Sequence, residues 1–357
     1  MYVEVRNVCK RFGDFQALDD VSFSVERGEL VALLGPSGSG KTTILRTIAG
    51  LESADSGEIA IDGTVVNDMP GSQRGIGFVF QNYALFRYMT VRDNIAFGLD
   101  VQKRPKSEVD ARVAELVELI GLAGMEDRYP NQLSGGQRQR VAFARALAPN
   151  PRVLLLDEPF AAIDAKVRGE LRQWLRSIVG KLGITSIFVT HDQEEALEVS
   201  DRIIVMSEGR IEQVGAPTAI YETPATAFVA QFAGNAPVVA DYDLFNGFEK
   251  RDSDSTAVIR PEFVEAFRPD NAEFADVLDI AQECVVEDVS FRGFYMELTL
   301  NVNGVRVSTH RGLNRRRDIV PGTHMLVFVS RMYIMGSQNQ VEIRRNPLLE
   351  GKHIERD

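Results

Sequence analysis

Gly35-Pro36-Ser37-Gly38-Ser39-Gly40-Lys41-Thr42 lies between the apolar run Leu30-Val31-Ala32-Leu33-Leu34 and a segment with helical apolar spacing over 43–49 that ends at Gly50. The octapeptide fits G-x-x-x-x-G-K-[ST], and the strand before it and helix after it are the context in which that pattern cradles phosphate. An uninterrupted apolar pentad suits a parallel strand covered on both faces. The glycines let the backbone turn its N–H groups toward an anion, and the start of the helix adds partial positive charge. Gly35 through Thr42, with Thr43, are therefore the candidate nucleotide contacts. Within them Lys41 reaches toward β- and γ-phosphates and the Thr42 hydroxyl is offered to Mg²⁺.

Outward from this loop, the first 230 or so residues alternate apolar runs with helical patterns, which predicts an α/β layer structure with a largely parallel sheet. Further buried strands are expected at 153–156, 186–189 and 203–206, and helices at 165–181 and 193–199. The apolar positions Val109, Val113, Leu116, Val117 and Ile120 recur at helical spacing, so 107–120 is expected in a helical lobe. At the start, 2–8 and 21–25 alternate apolar and polar residues, as in an antiparallel sheet with one covered face. After about 235 short alternating segments take over, at 284–289, 295–302, 305–308 and 325–329, with turns at Asn303-Gly304 and Pro321-Gly322. That spacing reads as a small all-β barrel or sandwich. Residues 235–255 fit either a linker or part of it, and the polar tail from 344 reads as frayed.

The composition narrows the class of function. At 357 residues, 44% hydrophobic and 25% charged, the chain can bury a large core and divide into two or three domains. No segment approaches the roughly 18 apolar residues of a membrane span, and the opening Met1-Tyr2-Val3-Glu4 has neither the charged nor the apolar region of a signal peptide. The expectation is a protein that stays in the cytosol. Cys9 and Cys284 lack the spacing of a metal site or redox pair and read as reduced packing residues. A net charge of −11 and a pI near 5.1 argue against a grip on nucleic acid.

Two further segments carry chemistry. Val153-Leu154-Leu155-Leu156-Asp157-Glu158 is an apolar strand tipped with two acids. Asp157 is placed to hold Mg²⁺ through its water shell, since Mg²⁺ keeps several waters and takes few carboxylates. Glu158 is placed to polarise the attacking water as general base. Ser134-Gly135-Gly136-Gln137 opens a helical pattern over 138–148, with Ser134 as N-cap, and forms either a second anion site or a cap and hinge.

With Leu133-Ser134-Gly135-Gly136-Gln137 standing shortly before the acid-tipped strand, the sequence resembles the ATP-binding cassette (ABC) family of transport ATPases. The resemblance implies a P-loop ABC ATPase domain over 1–235, with a mixed-sheet core, an antiparallel β subdomain and a helical subdomain at about 82–150. A small all-β, OB/TOBE-like regulatory domain would follow over 236–357. It also implies roles residue by residue. Gln81, after Gly77-Phe78-Val79-Phe80, matches the glutamine that contacts Mg²⁺ and the attacking water. Phe12 falls where an aromatic stacks on adenine, with Phe15 a neighbouring candidate. His191 matches the switch histidine that contacts the γ-phosphate and orients Glu158, and Asp164 the aspartate that communicates across a dimer. Ala161-Ala162-Ile163-Asp164 departs from the family's Ser/Gly-Ala-Leu-Asp, keeping only the alanine and the acid.

In the family, the signature of one copy closes over the ATP held by another. The implied assembly is a head-to-tail homodimer with ATP and Mg²⁺ at the cytoplasmic face of the membrane. It would work with separate transmembrane permease subunits and, indirectly, an extracytoplasmic substrate-binding protein. Residues 81–98 resemble the surface that receives a permease helix. Within the family the strings at 77–99, 127–148 and 188–206 are most similar to the ATPases of bacterial sulfate/thiosulfate importers, and Arg260-Pro261-Glu262 resembles that group more weakly. Importers of molybdate, polyamines, ferric iron or sugars share most of these strings, and Asn82 stands where sulfate members often have His. A non-transport cassette or a P-loop kinase fits less well, lacking a second cassette or an acceptor site respectively. A sensor role for the β-rich part stays open, with Arg292, His310, Arg311 and Arg315–Arg317 as its basic residues.

Overall fold

The computed structural model describes all residues except 162–163, 235, 314–318, 337–339 and 353–357, and the side chains of 165–166. Ala162, Ile163 and the Arg315–Arg317 cluster therefore lie outside the described residues. The chain forms two compact units, Met1–Ala219 and Ile220–Asp357.

The first unit runs β1 (Val3–Phe12), β2 (Phe15–Val25), β3 (Leu30–Leu34), α1 (Lys41–Ala49), β4 (Ser56–Ile61), β5 (Thr64–Val65), β6 (Ile76–Val79) and α2 (Val91–Val101). It continues through α3 (Lys106–Leu119), α4 (Gly135–Leu147), β7 (Val153–Asp157), α5 (Ala165–Leu182), β8 (Thr185–Thr190), α6 (Gln193–Val199), β9 (Arg202–Ser207) and β10 (Arg210–Gly215). The six-stranded sheet has the order β10-β9-β3-β8-β7-β6, parallel throughout except for the β9–β10 hairpin. Every residue of β3, β7 and β8 is buried, which is why β3, β7 up to Asp157 and the Ile187–Val189 centre of β8 are apolar without alternation. β1 and β2 instead alternate and pair with β4 and β5 in a separate antiparallel sheet, whose inner face joins Val3, Val5, Leu18 and Ile59 to the main core.

Two features fix α1, and with it the phosphate loop. Its C-terminus ends at Gly50 in the left-handed conformation, and the buried Arg74 donates to the carbonyls of Thr47 and Ile48 at 2.8 and 2.9 Å. α2 to α4 supply the expected helical lobe. Within it α2 was not foreseen as a separate helix, although Thr90 and Asp93 form a capping box at its start.

In the second unit, α7 (Pro217–Glu222) and α8 (Ala227–Gly234) precede β11 (Val238–Val239), β12 (Thr256–Val258), β13 (Val264–Phe267), β14 (Gln282–Phe291), β15 (Tyr295–Val302), β16 (Val305–Gly312), β17 (His324–Val329), β18 (Arg331–Met335) and β19 (Val341–Arg345). α7 straddles the division between the units. The strands form two antiparallel sheets, β11-β12-β18-β19 and β13-β17-β14-β15-β16. Asn303 and Gly304 turn the β15–β16 hairpin with φ of 52° and 88°, the positive pair a two-residue loop needs. The units divide at 219/220 rather than near 235 because α8 packs with the β-rich part. Ala230 joins Val258, Phe263 and Tyr333 in one apolar cluster, and the fully buried Arg260 donates to the carbonyls of Tyr221 and Ala230. The tail is ordered further than its polarity suggests, since β19 pairs with β18 and Lys352 forms an ion pair with Asp279.

Candidate functional site

The loop at 35–42 leaves the buried end of β3 and enters α1 through Gly40, whose φ of +94° favours glycine. A Cβ at Gly40 would meet the Ala17 carbonyl at 2.5 Å, and one at Gly35 the Met206 carbonyl at 2.2 Å. No side chain caps α1 and no acid lies in its first turn, so the helix start keeps its positive character for an anion. Lys41 is 5% exposed, and its Nζ donates to the carbonyls of Gly35 and Pro36 at 2.8 and 2.7 Å and to Ser39 Oγ at 3.3 Å. Burial lowers its pKa, while the charges of Glu158 and Asp157 act to raise it. An ammonium held by neutral oxygens in an uncapped loop fits a phosphate.

Asp157 ends β7 and is 4% exposed. It accepts a hydrogen bond from the Thr42 hydroxyl at 2.9 Å, and Arg46 lies 3.7 Å from its second oxygen. Burial raises its pKa, against the hydrogen bond from Thr42. A hydroxyl beside a single buried carboxylate fits Mg²⁺, which retains water and pairs with phosphate oxygens instead of a protein cage.

Glu158 is a non-glycine residue with φ of +45°. Such backbone costs about 1–3 kcal/mol and persists where the surroundings enforce it. The Gln81 amide donates to Glu158 Oε2 at 2.8 Å, and His191 Nδ1 lies 3.4 Å from Oε1. Gln81 follows β6 and His191 follows β8, so three neighbouring strand ends bring together three residues far apart in sequence. Ligands in open α/β sheets bind at this carboxyl edge.

The other expected contacts lie elsewhere. Ser134 caps α4, accepting from the Gln137 backbone at 3.2 Å, while the Gln137 side chain accepts from the Ser134 N–H at 2.9 Å. Gly135 starts α4, and a Cβ on Gly136 would come 3.2 Å from Val167. Among the described residues no hydrogen bond or ion pair joins 134–137 to Lys41, Asp157 or Glu158. Phe12 and Phe15 pair at the β1–β2 tip and are 47% and 58% exposed. Asp164 precedes α5 and is exposed, and its side chain makes no capping bond. Asn82, Tyr83, Leu85, Arg87 and Tyr88 line, with Tyr129, a cavity of about 800 Å³.

Several supporting residues have no motif of their own. Thr190 is 1% exposed, and its hydroxyl bonds the buried Glu195 and accepts from the Asp192 N–H at 3.0 Å, bracketing His191. Arg46 and Arg145 are likewise unforeseen. The only local signal for any of them is the acid-rich start of α6.

Residues 18–161 match the ABC transporter family model. A sulfate/thiosulfate import ATP-binding protein CysA of Mycobacterium bovis is 58% identical over 247 residues, 68% of this chain and 70% of that protein. The protein of the same name from Mycolicibacterium paratuberculosis is 51% identical over 298 residues, 84% of this chain and 80% of that one. Among solved structures, the ATP-binding cassette MJ0796, dimeric in a post-hydrolysis state with ADP and Pi, is 36% identical with a TM-score of 0.54 and covers 60% of this chain and 98% of its own. No helix among the described residues is long and apolar enough to cross a membrane. Identity of this extent, over a loop, acid pair and glutamine brought together as above, means that the chain belongs to the ATP-binding cassette (ABC) transporter family.

Proposed function

We propose that this chain is the ATP-hydrolysing subunit of a sulfate/thiosulfate importer. The observation that carries the hydrolytic part is the Glu158 carboxylate, partnered by Gln81 and lying beside His191 next to an uncapped phosphate loop. The cargo rests on the names of the curated relatives. Lys41 and the backbone N–H groups at 38–42 hold the phosphates, and Phe12 stacks on the base. Thr42, Asp157 and Gln81 would hold Mg²⁺, which when bound would supply positive charge beside the phosphate oxygens. Glu158 takes the proton of the attacking water as ADP departs. Gln81 and His191 keep its two oxygens oriented, so little rearrangement is needed at the moment of reaction.

Ser134–Gln137 and Asp164 stand apart from this cluster, which supports a second copy supplying them across a head-to-tail dimer. Closure on ATP and reopening after hydrolysis would drive separate membrane permease subunits at the cytoplasmic face, through the segment from Gln81 to Gly98. An extracytoplasmic binding protein would deliver the anion. The test is Glu158→Gln. This variant should bind ATP, accumulate as a dimer and lose nearly all hydrolysis. Cells that carry it as their only copy should lose uptake of radiolabelled sulfate. Full hydrolysis would remove Glu158 as the base, and sulfate uptake unchanged in a strain lacking the chain would remove the cargo.

A further inference from the structure

Immediately after Gln81 the backbone takes a shape that residues with a Cβ rarely adopt. Tyr83 and Ala84 are consecutive and left-handed, with φ of 62° and 45°. The Tyr83 N–H donates to the Phe80 carbonyl at 2.8 Å, closing a turn with Gln81 and Asn82 at its apex. The far side of the segment is tied down separately. The fully buried Asn94 accepts from the Phe86 N–H at 2.9 Å and donates to the carbonyls of Phe86, Met89 and Thr90 at 3.2, 3.1 and 2.9 Å.

Arg145, on the last turn of α4, crosses to this segment. Its guanidinium donates to the Tyr83 carbonyl at 2.8 Å and the Ala84 carbonyl at 2.7 Å, and lies 5.5 Å from the centre of the Phe86 ring. Among the described residues no carboxylate pairs with it, and its hydrogen-bond acceptors there are two carbonyls of strained backbone. A planar fork spanning two successive carbonyls fixes their relative direction, which a single point charge does not.

We infer that Arg145 is a positioning residue for hydrolysis: by holding Tyr83 and Ala84 in the left-handed conformation it sets the turn that presents the Gln81 amide to Glu158. Without it the two residues relax toward ordinary backbone, the Phe80–Tyr83 turn opens and the 2.8 Å bond from Gln81 to Glu158 is lost. The inference rests on the proposed role of Glu158. It also joins α4, which begins at Ser134–Gln137, to the hydrolytic carboxylate through bonds within one chain.

The test is a double-mutant cycle on the full-length chain, with Arg145→Met, which keeps an apolar stem and removes the fork, and Gln81→Ala. Arg145→Met should lower kcat about tenfold or more while the KM for ATP and the affinity for ADP stay within about twofold. In the Gln81→Ala background the same change should cost less than about twofold. Adding Ala84→Gly to Arg145→Met should recover kcat several-fold, because glycine holds the left-handed backbone unaided. Should Arg145→Met give no soluble chain, Arg145→Lys, with a point charge in place of the fork, goes through the same cycle. Additive losses in the cycle, or no recovery on adding Ala84→Gly, would overturn the inference. Glu158→Gln separates the two readings: if it abolishes hydrolysis while the cycle is additive, only the role of Arg145 falls.

Discussion

Replacing Thr190 by valine keeps a β-branched shape in β8 and removes one hydroxyl. That hydroxyl bonds the Glu195 carboxylate, itself 5% exposed, and accepts from the Asp192 N–H at 3.0 Å. A hydrogen bond to a charged group contributes about 1.5–3 kcal/mol and a neutral one about 1 kcal/mol, so the substitution should destabilise the first unit by about 2–4 kcal/mol. Its unfolding temperature should fall by roughly 5–15 °C in a thermal scan. The same bonds hold the loop on which His191 lies 3.4 Å from Glu158, so kcat should fall about tenfold for each 1.4 kcal/mol of lost orientation. Thr190→Ser, which keeps the hydroxyl, should restore most of both.

Burial raises the pKa of Glu195, opposed by the hydrogen bond from Thr190. A carboxyl with a raised folded pKa binds its proton more tightly when folded. Its favourable contribution is therefore present below the unfolded carboxylate pKa and is lost as pH rises through the raised folded value. Thr190→Val removes the opposing bond, raises the folded value further, and should extend that loss to higher pH. An unfolding temperature within 2 °C of the parent would refute the energetic estimate. A lowered unfolding temperature with unchanged kcat would refute the link to His191.

Other consequences are as direct. A Cβ on Gly234 would lie 2.2 Å from Nε of the fully buried Arg260, whose guanidinium sits 4.2 and 4.6 Å from the rings of Tyr221 and Tyr333. Gly234→Ala should therefore destabilise the second unit by about 1–3 kcal/mol, measured by denaturant unfolding, where alanine in an unobstructed helix would stabilise it. Burial pushes the Cys284 thiol up to about 12, whereas Cys9 is half-buried. A thiol reagent at neutral pH should label one cysteine in the folded chain and two after denaturation, as counted by mass.

The parts legible in the sequence were those whose chemistry is contiguous. The phosphate loop, the acid-tipped strand and the Ser134 cap each place their residues within one turn or strand, and β3, β15 and α6 end where the apolar pattern ends. Residues that act across the fold left no such trace. Arg145 meets Tyr83 across 62 positions, and Arg260 meets Tyr221 and Tyr333 across 39 and 73. The boundary expected near 235 follows a change of strand pattern. The observed division follows Arg260, which ties Tyr221 and α8 to the β-rich strands through the carbonyls of Tyr221 and Ala230, acceptors that carry no side-chain signature.

The strand ends gather Lys41, Thr42, Gln81, Asp157, Glu158 and His191, a set with an ammonium, a hydroxyl, an amide, two acids and an imidazole. Under the proposed function this set contacts the triphosphate, and Ser134–Gln137 make no hydrogen bond or ion pair to Lys41, Asp157 or Glu158 among the described residues. On α4 the Ser134 hydroxyl and the Gln137 side chain are engaged with each other's backbone, so that helix start is a rigid surface. If a second copy presents this surface, as the proposed dimer requires, its rigidity would lower the entropy cost of closing over a bound nucleotide. If the Arg145 bonds also hold in the dimer, Ser134–Gln137 and the Gln81 amide belong to opposite ends of one helix system. A disturbance at either nucleotide would then reach the other through α4, a coupling that two independent sites would lack.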